Sequence, residues 1–97
     1  MRYAIVLAPE AVGDFHRLRA TDRAAVRDAI ERHLRVEPRK VSRSRIKRLR
    51  GLRRPQYRLR VGELRVFYDV EEDAVNVLAI VRKDDVAAWL KREGKQG

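Results

Sequence analysis

The chain has 97 residues, with 24 Lys+Arg against 14 Asp+Glu and a formal net charge of +10. That length predicts one domain over 1–97, with a single modest core and no space for a separate regulatory module. The absence of cysteine excludes disulfide scaffolds, thiolate metal sites and cysteine nucleophiles. No apolar stretch reaches the roughly 18 residues of a membrane span or forms a signal-peptide core after Met1, so a cytoplasmic protein with no membrane partner is expected.

Tyr3 to Leu7 is a short apolar run with β-branched residues and predicts a buried strand. Pro9 suits the first turn of a helix in which Ala11, Phe15 and Leu18 recur on one side. Thr21-Asp22 offers an N-cap for a second helix whose apolar stripe is Val26, Ile30 and Leu34, with Ala29 and His33 beside it and Pro38 as its stop. Two such helices form an antiparallel hairpin that needs a sheet to cover its apolar side. Val41 to Arg54 predicts a mobile basic loop containing a short edge strand, with Ile46 and Leu49 as anchors and a turn at Gly51.

Tyr57 to Val61 and Leu64 to Val70 alternate cleanly around Gly62-Glu63, a two-residue hairpin loop. Ala74 to Val81 is a nearly continuous apolar run suited to a central strand, and Lys83 to Glu93 predicts a C-terminal helix that packs through Val86, Trp89 and Leu90. The expected fold is α+β: an N-terminal strand and helical hairpin on a small twisted antiparallel sheet, closed by a short helix.

The charge is concentrated in the middle of the chain. Between Pro38 and Tyr68 twelve basic residues face one acidic residue, Glu63, whereas the remainder holds twelve basic and thirteen acidic. Nineteen of the 24 cations are arginine, whose planar fork suits bidentate phosphate contacts. A polyanionic partner follows, most simply nucleic acid or a very acidic protein.

The two-residue loop fixes the hairpin register. Val61 lies opposite Leu64, Arg60 opposite Arg65, Leu59 opposite Val66, Arg58 opposite Phe67 and Tyr57 opposite Tyr68, and opposed residues share a face. One face is then apolar, and the other collects Arg58, Arg60 and Arg65 with Phe67 among them. Directly opposed arginines repel, so a sheet that keeps them without a carboxylate suits an anionic ligand. Phe67 fits either a base-stacking platform or simple packing under the Arg58 stem. His16 and His33 are expected to be packing or surface residues, and Asp84 and Asp85 to cap the last helix. No metal-ligand spacing is present.

Arg48-Leu49-Arg50-Gly51, Tyr57-Arg58-Leu59-Arg60-Val61-Gly62 and Leu64-Arg65-Val66-Phe67-Tyr68-Asp69-Val70 together resemble the core signature of the RelE/ParE superfamily of bacterial toxins, in its RelE-like branch. With the helical hairpin, the strand order and Arg82 closing the last strand, the resemblance spans almost the whole chain. It implies the toxin of a type II toxin–antitoxin module: a ribosome-dependent mRNA endonuclease that inhibits translation without metal or cofactor. Carried over by position, Arg58, Arg60, Arg65 and Arg82 contact the scissile phosphate. The ribose 2′-OH attacks that phosphate, leaving a 2′,3′-cyclic phosphate and a 5′-OH. Lys47, Arg48, Arg50, Arg53 and Arg54, together with Phe67, are the expected RNA-binding residues. The implied partners are the ribosome with its mRNA and a cognate antitoxin whose acidic, flexible C-terminal segment wraps the toxin. The sequence departs from the family pattern after Arg82, where no tyrosine follows. A family member that binds RNA or ribosomes without cutting therefore stays open, and separately so does a ParE-like inhibitor of DNA gyrase.

Overall fold

The computed structural model describes residues 2–96. Its strands are β1 (Ala4–Leu7), β2 (Ile46–Arg48), β3 (Leu52–Arg54), β4 (Tyr57–Val61), β5 (Leu64–Val70), β6 (Ala74–Arg82) and β7 (Lys95–Gln96); its helices are α1 (Pro9–Arg17), α2 (Ala20–Ala29) and α3 (Val86–Glu93). A wider helical turn, Ile30–Leu34, continues α2, and a tight turn, Lys83–Asp85, leads into α3. The main sheet runs β1-β6-β5-β4-β2, and β3 and β7 form a separate two-stranded ribbon.

The alternation of β4 and β5 gives the predicted hairpin, with all five expected pairs in place. Gly62, at φ +57°, supplies the left-handed residue that its tight turn requires. One sheet face carries Tyr57, Leu59, Leu64, Val66, Tyr68, Val70, Val75 and Val77 into the main core, against Ala11 of α1, Val26 of α2 and the Ile30 and Leu34 that follow it. Inside this core the Tyr57 and Tyr68 rings stack at 5.4 Å, and the buried Tyr68 hydroxyl donates to the Pro38 carbonyl at 2.7 Å.

Four expectations are corrected. The sheet is mixed, because β1 pairs parallel to β6. β1 is also an edge strand, not a buried one: the helices cover only the side bearing Ile5 and Leu7, and Val6 is half exposed. Finally, α2 starts at Ala20 with Arg19 as its N-cap, and no side-chain cap forms there, so Thr21-Asp22 lies inside the first turn. The C-terminal helix begins without a side-chain cap as well; Asp84 and Asp85 are both exposed.

β6 contains the irregularity that matters most for the site. Tyr68 pairs with Val77 but Phe67 pairs with Ala79, so Leu78 is an extra residue, a β-bulge. One inserted residue reverses the facing of everything beyond it. Val75 and Val77 point into the main core, and after the bulge it is Ile80 that does so. Ala79 and Val81 turn to the other face, where they join Phe67 and Trp89 in a second, smaller cluster.

Candidate nucleic-acid interface

The second face of the sheet is divided in two. On β5 and β6, α3 covers it: the Trp89 ring stacks on Phe67 at 4.8 Å and 7°, with Leu49, Val86 and Leu90 packed around them. The Trp89 Nε1–H donates to Glu10 Oε2 at 2.8 Å, which ties α3 to the start of α1. On β4 and β2 no helix among the described residues covers the face, and cations take its place. Lys47 lies opposite Arg58 and Arg60 opposite Arg65, so register alone gathers four basic side chains on one surface.

Arg58 is the centre of this group. It is half-buried, and one Nη donates to the Ser44 carbonyl at 3.3 Å, while its buried Nε–H has no partner among the described residues. Burial, and then the charges of Arg65 and Arg60, hold its guanidinium below the usual arginine range. It nonetheless remains a cation at neutral pH. The Arg65 Nη1 donates to the carbonyls of Gly62 and Leu64, both at 2.9 Å, which folds its side chain back over the hairpin turn. Among the described residues no carboxylate pairs with Lys47, Arg58, Arg60 or Arg65. Even Glu63, the one acid in the basic segment, turns to Lys83 at 3.5 Å. A desolvated donor among uncompensated cations is an arrangement that an anion stabilises.

The other predicted residues are placed differently. Arg82 lies opposite Leu64, on the helical side of the sheet, and lines a shallow cavity with Arg19 and Asp22. The bulge at Leu78 puts it there; unbroken alternation would have set it on the face of Arg65. Arg82 is therefore not brought together with Arg58, Arg60 and Arg65. Phe67 is fully buried beneath Trp89 and presents no ring face to a base, so it is a packing residue, covered by Trp89 and not by the Arg58 stem, and the base-stacking reading is corrected.

Arg48 also lies on the helical side, its guanidinium over the Tyr57 ring at 5.2 Å and one Nη donating to the Gln56 carbonyl at 2.7 Å. The Arg54 Nε donates to Asp69 Oδ2 at 2.7 Å, a structural ion pair whose other carboxylate oxygen accepts the Gln56 backbone N–H at 2.7 Å. Arg50 and Arg53 are exposed around the Gly51 turn.

Two contributors escaped the sequence reading. Asp69 is nearly inaccessible and anchors the segment that leads into β4; its only signal was a lone acid in a largely apolar strand. His33 is the other. Its Nε2 meets the Arg45 Nη1 at 2.7 Å, at the edge of the sheet nearest Arg60. Nothing in the helical periodicity of Val26, Ile30 and Leu34 points to Arg45.

No protein-family model matches the chain, and no curated protein matches it either. Among solved structures it is similar to a chain of the toxin–antitoxin complex RelBE2 from Mycobacterium tuberculosis, at 25% identity and TM-score 0.69, covering 84% of this chain and 99% of that one. It is similar also to a chain of the RelB–RelE antitoxin–toxin complex from Methanococcus jannaschii, at 19% identity, TM-score 0.66, and 87% and 96% coverage. A chain of the archaeal RelE–RelB complex from Pyrococcus horikoshii matches at 20% identity, TM-score 0.56, and 86% and 97% coverage. The fold is therefore the α+β fold of these RelE neighbours, carried here by a chain that gathers Lys47, Arg58, Arg60 and Arg65 on one uncovered half of the sheet.

Proposed function

We propose that this protein is the toxin of a toxin–antitoxin pair and that Arg58, Arg60 and Arg65, with Lys47 beside them, bind the phosphate backbone of mRNA on the ribosome for cleavage. The likeness to RelE–RelB complexes supports the toxin role and a cognate antitoxin. The single observation that carries the RNA reading is the uncompensated cation row around the half-buried Arg58. In this reading the 2′-OH attacks the adjacent phosphate, and the 5′-oxygen leaves with a cyclic phosphate behind it. Negative charge grows on the phosphorane oxygens as the new bond forms. Fixed guanidinium donors in a partly dehydrated site stabilise that charge more than they stabilise the ground state. Arginine serves poorly as a base, so the contribution of this face is electrostatic.

A second reading rests on a specific feature. All three tyrosines lie elsewhere: Tyr57 and Tyr68 are in the main core, and Tyr3 packs against it, its hydroxyl taking a hydrogen bond from Arg39. With no histidine or tyrosine on the arginine face, a toxin that occupies RNA or ribosome without cutting is the alternative. Primer extension on translated mRNA from cells expressing the chain separates the two. Cuts within codons, ending in cyclic phosphates, support the nuclease; translation arrest with intact mRNA supports binding alone. DNA damage without either effect overturns both in favour of a gyrase target.

A further inference from the structure

Arg45 is held in place by backbone, not by charge. Its carbonyl accepts the Arg60 N–H at 2.8 Å, and Ser42 Oγ accepts the backbone N–H groups of Arg45 and Ile46, each at 3.0 Å. This fixed loop directs the guanidinium at a histidine lone pair instead of a carboxylate: Arg45 Nη1 donates to His33 Nε2 at 2.7 Å. His33 must therefore be neutral there, because an imidazolium has no acceptor. Burial first, and then the charges of Arg45 and Arg32, hold the imidazole below its ordinary value. Arg32 adjoins His33 on the same helical turn, and Lys40 and Glu37 face the pair across a cavity of about 240 Å³. Asp28 lies on the adjoining helical side. Glu37 is turned to Lys40 at 3.7 Å, and among the described residues no carboxylate pairs with Arg45 or Arg32.

This groove is continuous with the arginine face. Ser44 and Arg45 line one cavity with Arg60 and Gly62, and the Ser44 carbonyl is the group to which Arg58 donates. A strand lying across Arg58 and Arg60 thus runs past Arg45 into the space before His33.

We infer that Arg45, His33 and Arg32 form a second phosphate subsite, which takes a backbone phosphate of the same polynucleotide one or more nucleotides from the one at Arg58. The inference rests on the RNA reading above. A phosphodiester oxygen accepts from Arg45 in place of the imidazole, and the freed imidazole then gains by taking up a proton and donating to the anion. Binding and protonation of His33 are linked, so affinity rises as pH falls through the imidazole range.

The test measures binding of a fluorescein-labelled, uncleavable 2′-O-methyl oligouridine of twelve nucleotides to the full chain by anisotropy, against KCl concentration at pH 7.5 and 5.5. For the native chain the expected result is affinity higher at pH 5.5 by roughly threefold or more. Arg45→Ala should bind about tenfold more weakly and lower the salt slope by about 1, the loss of one phosphate contact. His33→Gln keeps a neutral acceptor for Arg45 but cannot take up a proton; it should lose the gain in affinity between pH 7.5 and pH 5.5 that the native chain shows. Circular dichroism confirms that both variants fold. If both reproduce native affinity, slope and pH dependence, the subsite is overturned while the RNA reading stands. If the native chain does not bind the oligonucleotide at all, the underlying reading fails with it. A twelve-residue poly-glutamate that raises the His33 pKa by NMR where the oligonucleotide does not would assign the groove to an acidic peptide, and overturn the inference.

Discussion

The two faces of the β4–β5 hairpin are built from alternate residues of the same two strands, yet they come to opposite ends. On one face Tyr57, Leu59, Val66 and Tyr68 are sealed beneath α1, α2 and the turn that continues α2, and the polar need of Tyr68 is met inside by the Pro38 carbonyl. On the other face only the Phe67 end is sealed, by Trp89, and the Arg58–Arg60–Arg65 end stays open with its charges unmatched. Burial was available to both, since α3 is already packed on this side. The difference shows that the open half of the hairpin is left bare while its Phe67 end and its whole opposite face are covered, at the cost of placing Arg60 and Arg65 directly opposite each other.

This contrast predicts that Phe67 belongs to the fold and Arg58 to the ligand. Phe67→Ala should therefore cost about 3–5 kcal/mol, the usual range for a buried aromatic, read from urea denaturation with Trp89, the one tryptophan, as reporter. A near-neutral Phe67→Ala with lost RNA binding would reverse the assignment and return Phe67 to a stacking role. Asp69→Asn comes next. It leaves the Arg54 guanidinium without its anion and weakens the link to the Gln56 amide, for a loss of about 1–3 kcal/mol in the same assay. Arg54→Ala should cost less than about 1 kcal/mol, because its guanidinium is largely exposed and the Gln56 bond survives; equal losses would show that the ion pair, not the backbone bond, carries the stability.

The smallest effect is that of His33 on stability. Its pKa is lower in the folded chain than in the unfolded one, so the unfolded state binds more protons between the two values. Its contribution is complete above the ordinary imidazole pKa of 6.5 and is lost as pH falls through the native one. Thermal unfolding from pH 7.5 to 5 should show this decline in the native chain, and His33→Gln should flatten it. An unchanged slope would mean that other groups set the acid sensitivity.

Much of this was legible in the sequence because hairpin chemistry is local. Gly62-Glu63 sets the loop length, the loop length sets the register, and the register sorts Arg58, Arg60 and Arg65 from Leu59, Val61 and Val66 without reference to the rest of the molecule. What was not legible depended on distant pairing. The run from Ala74 to Val81 is apolar but for Asn76 and shows no strict alternation, so it hides the extra residue at Leu78, and with it the facing of Arg82. The run from Tyr3 to Leu7 carries no sign that one side of β1 lacks a covering layer. Phe67 and Trp89 are 22 positions apart, and their stacking chooses between two roles that the strand pattern alone allowed. The same holds for His33 and Arg45, which meet only because β2 pairs with β4.

The central claim is that the open half of this face, and not the bulk charge of +10, does the work on RNA. It is tested most directly by mRNA cleavage in a translating extract with the native chain, Arg58→Ala, Arg65→Ala and, as a control of equal charge loss, Arg43→Ala. Loss of a transition-state donor predicts a fall of about 10²-fold or more for Arg58→Ala and Arg65→Ala, with folding confirmed by circular dichroism. Arg43→Ala, in the exposed loop, should stay within about twofold. Equal losses in all three variants, or none in the first two, would contradict the account.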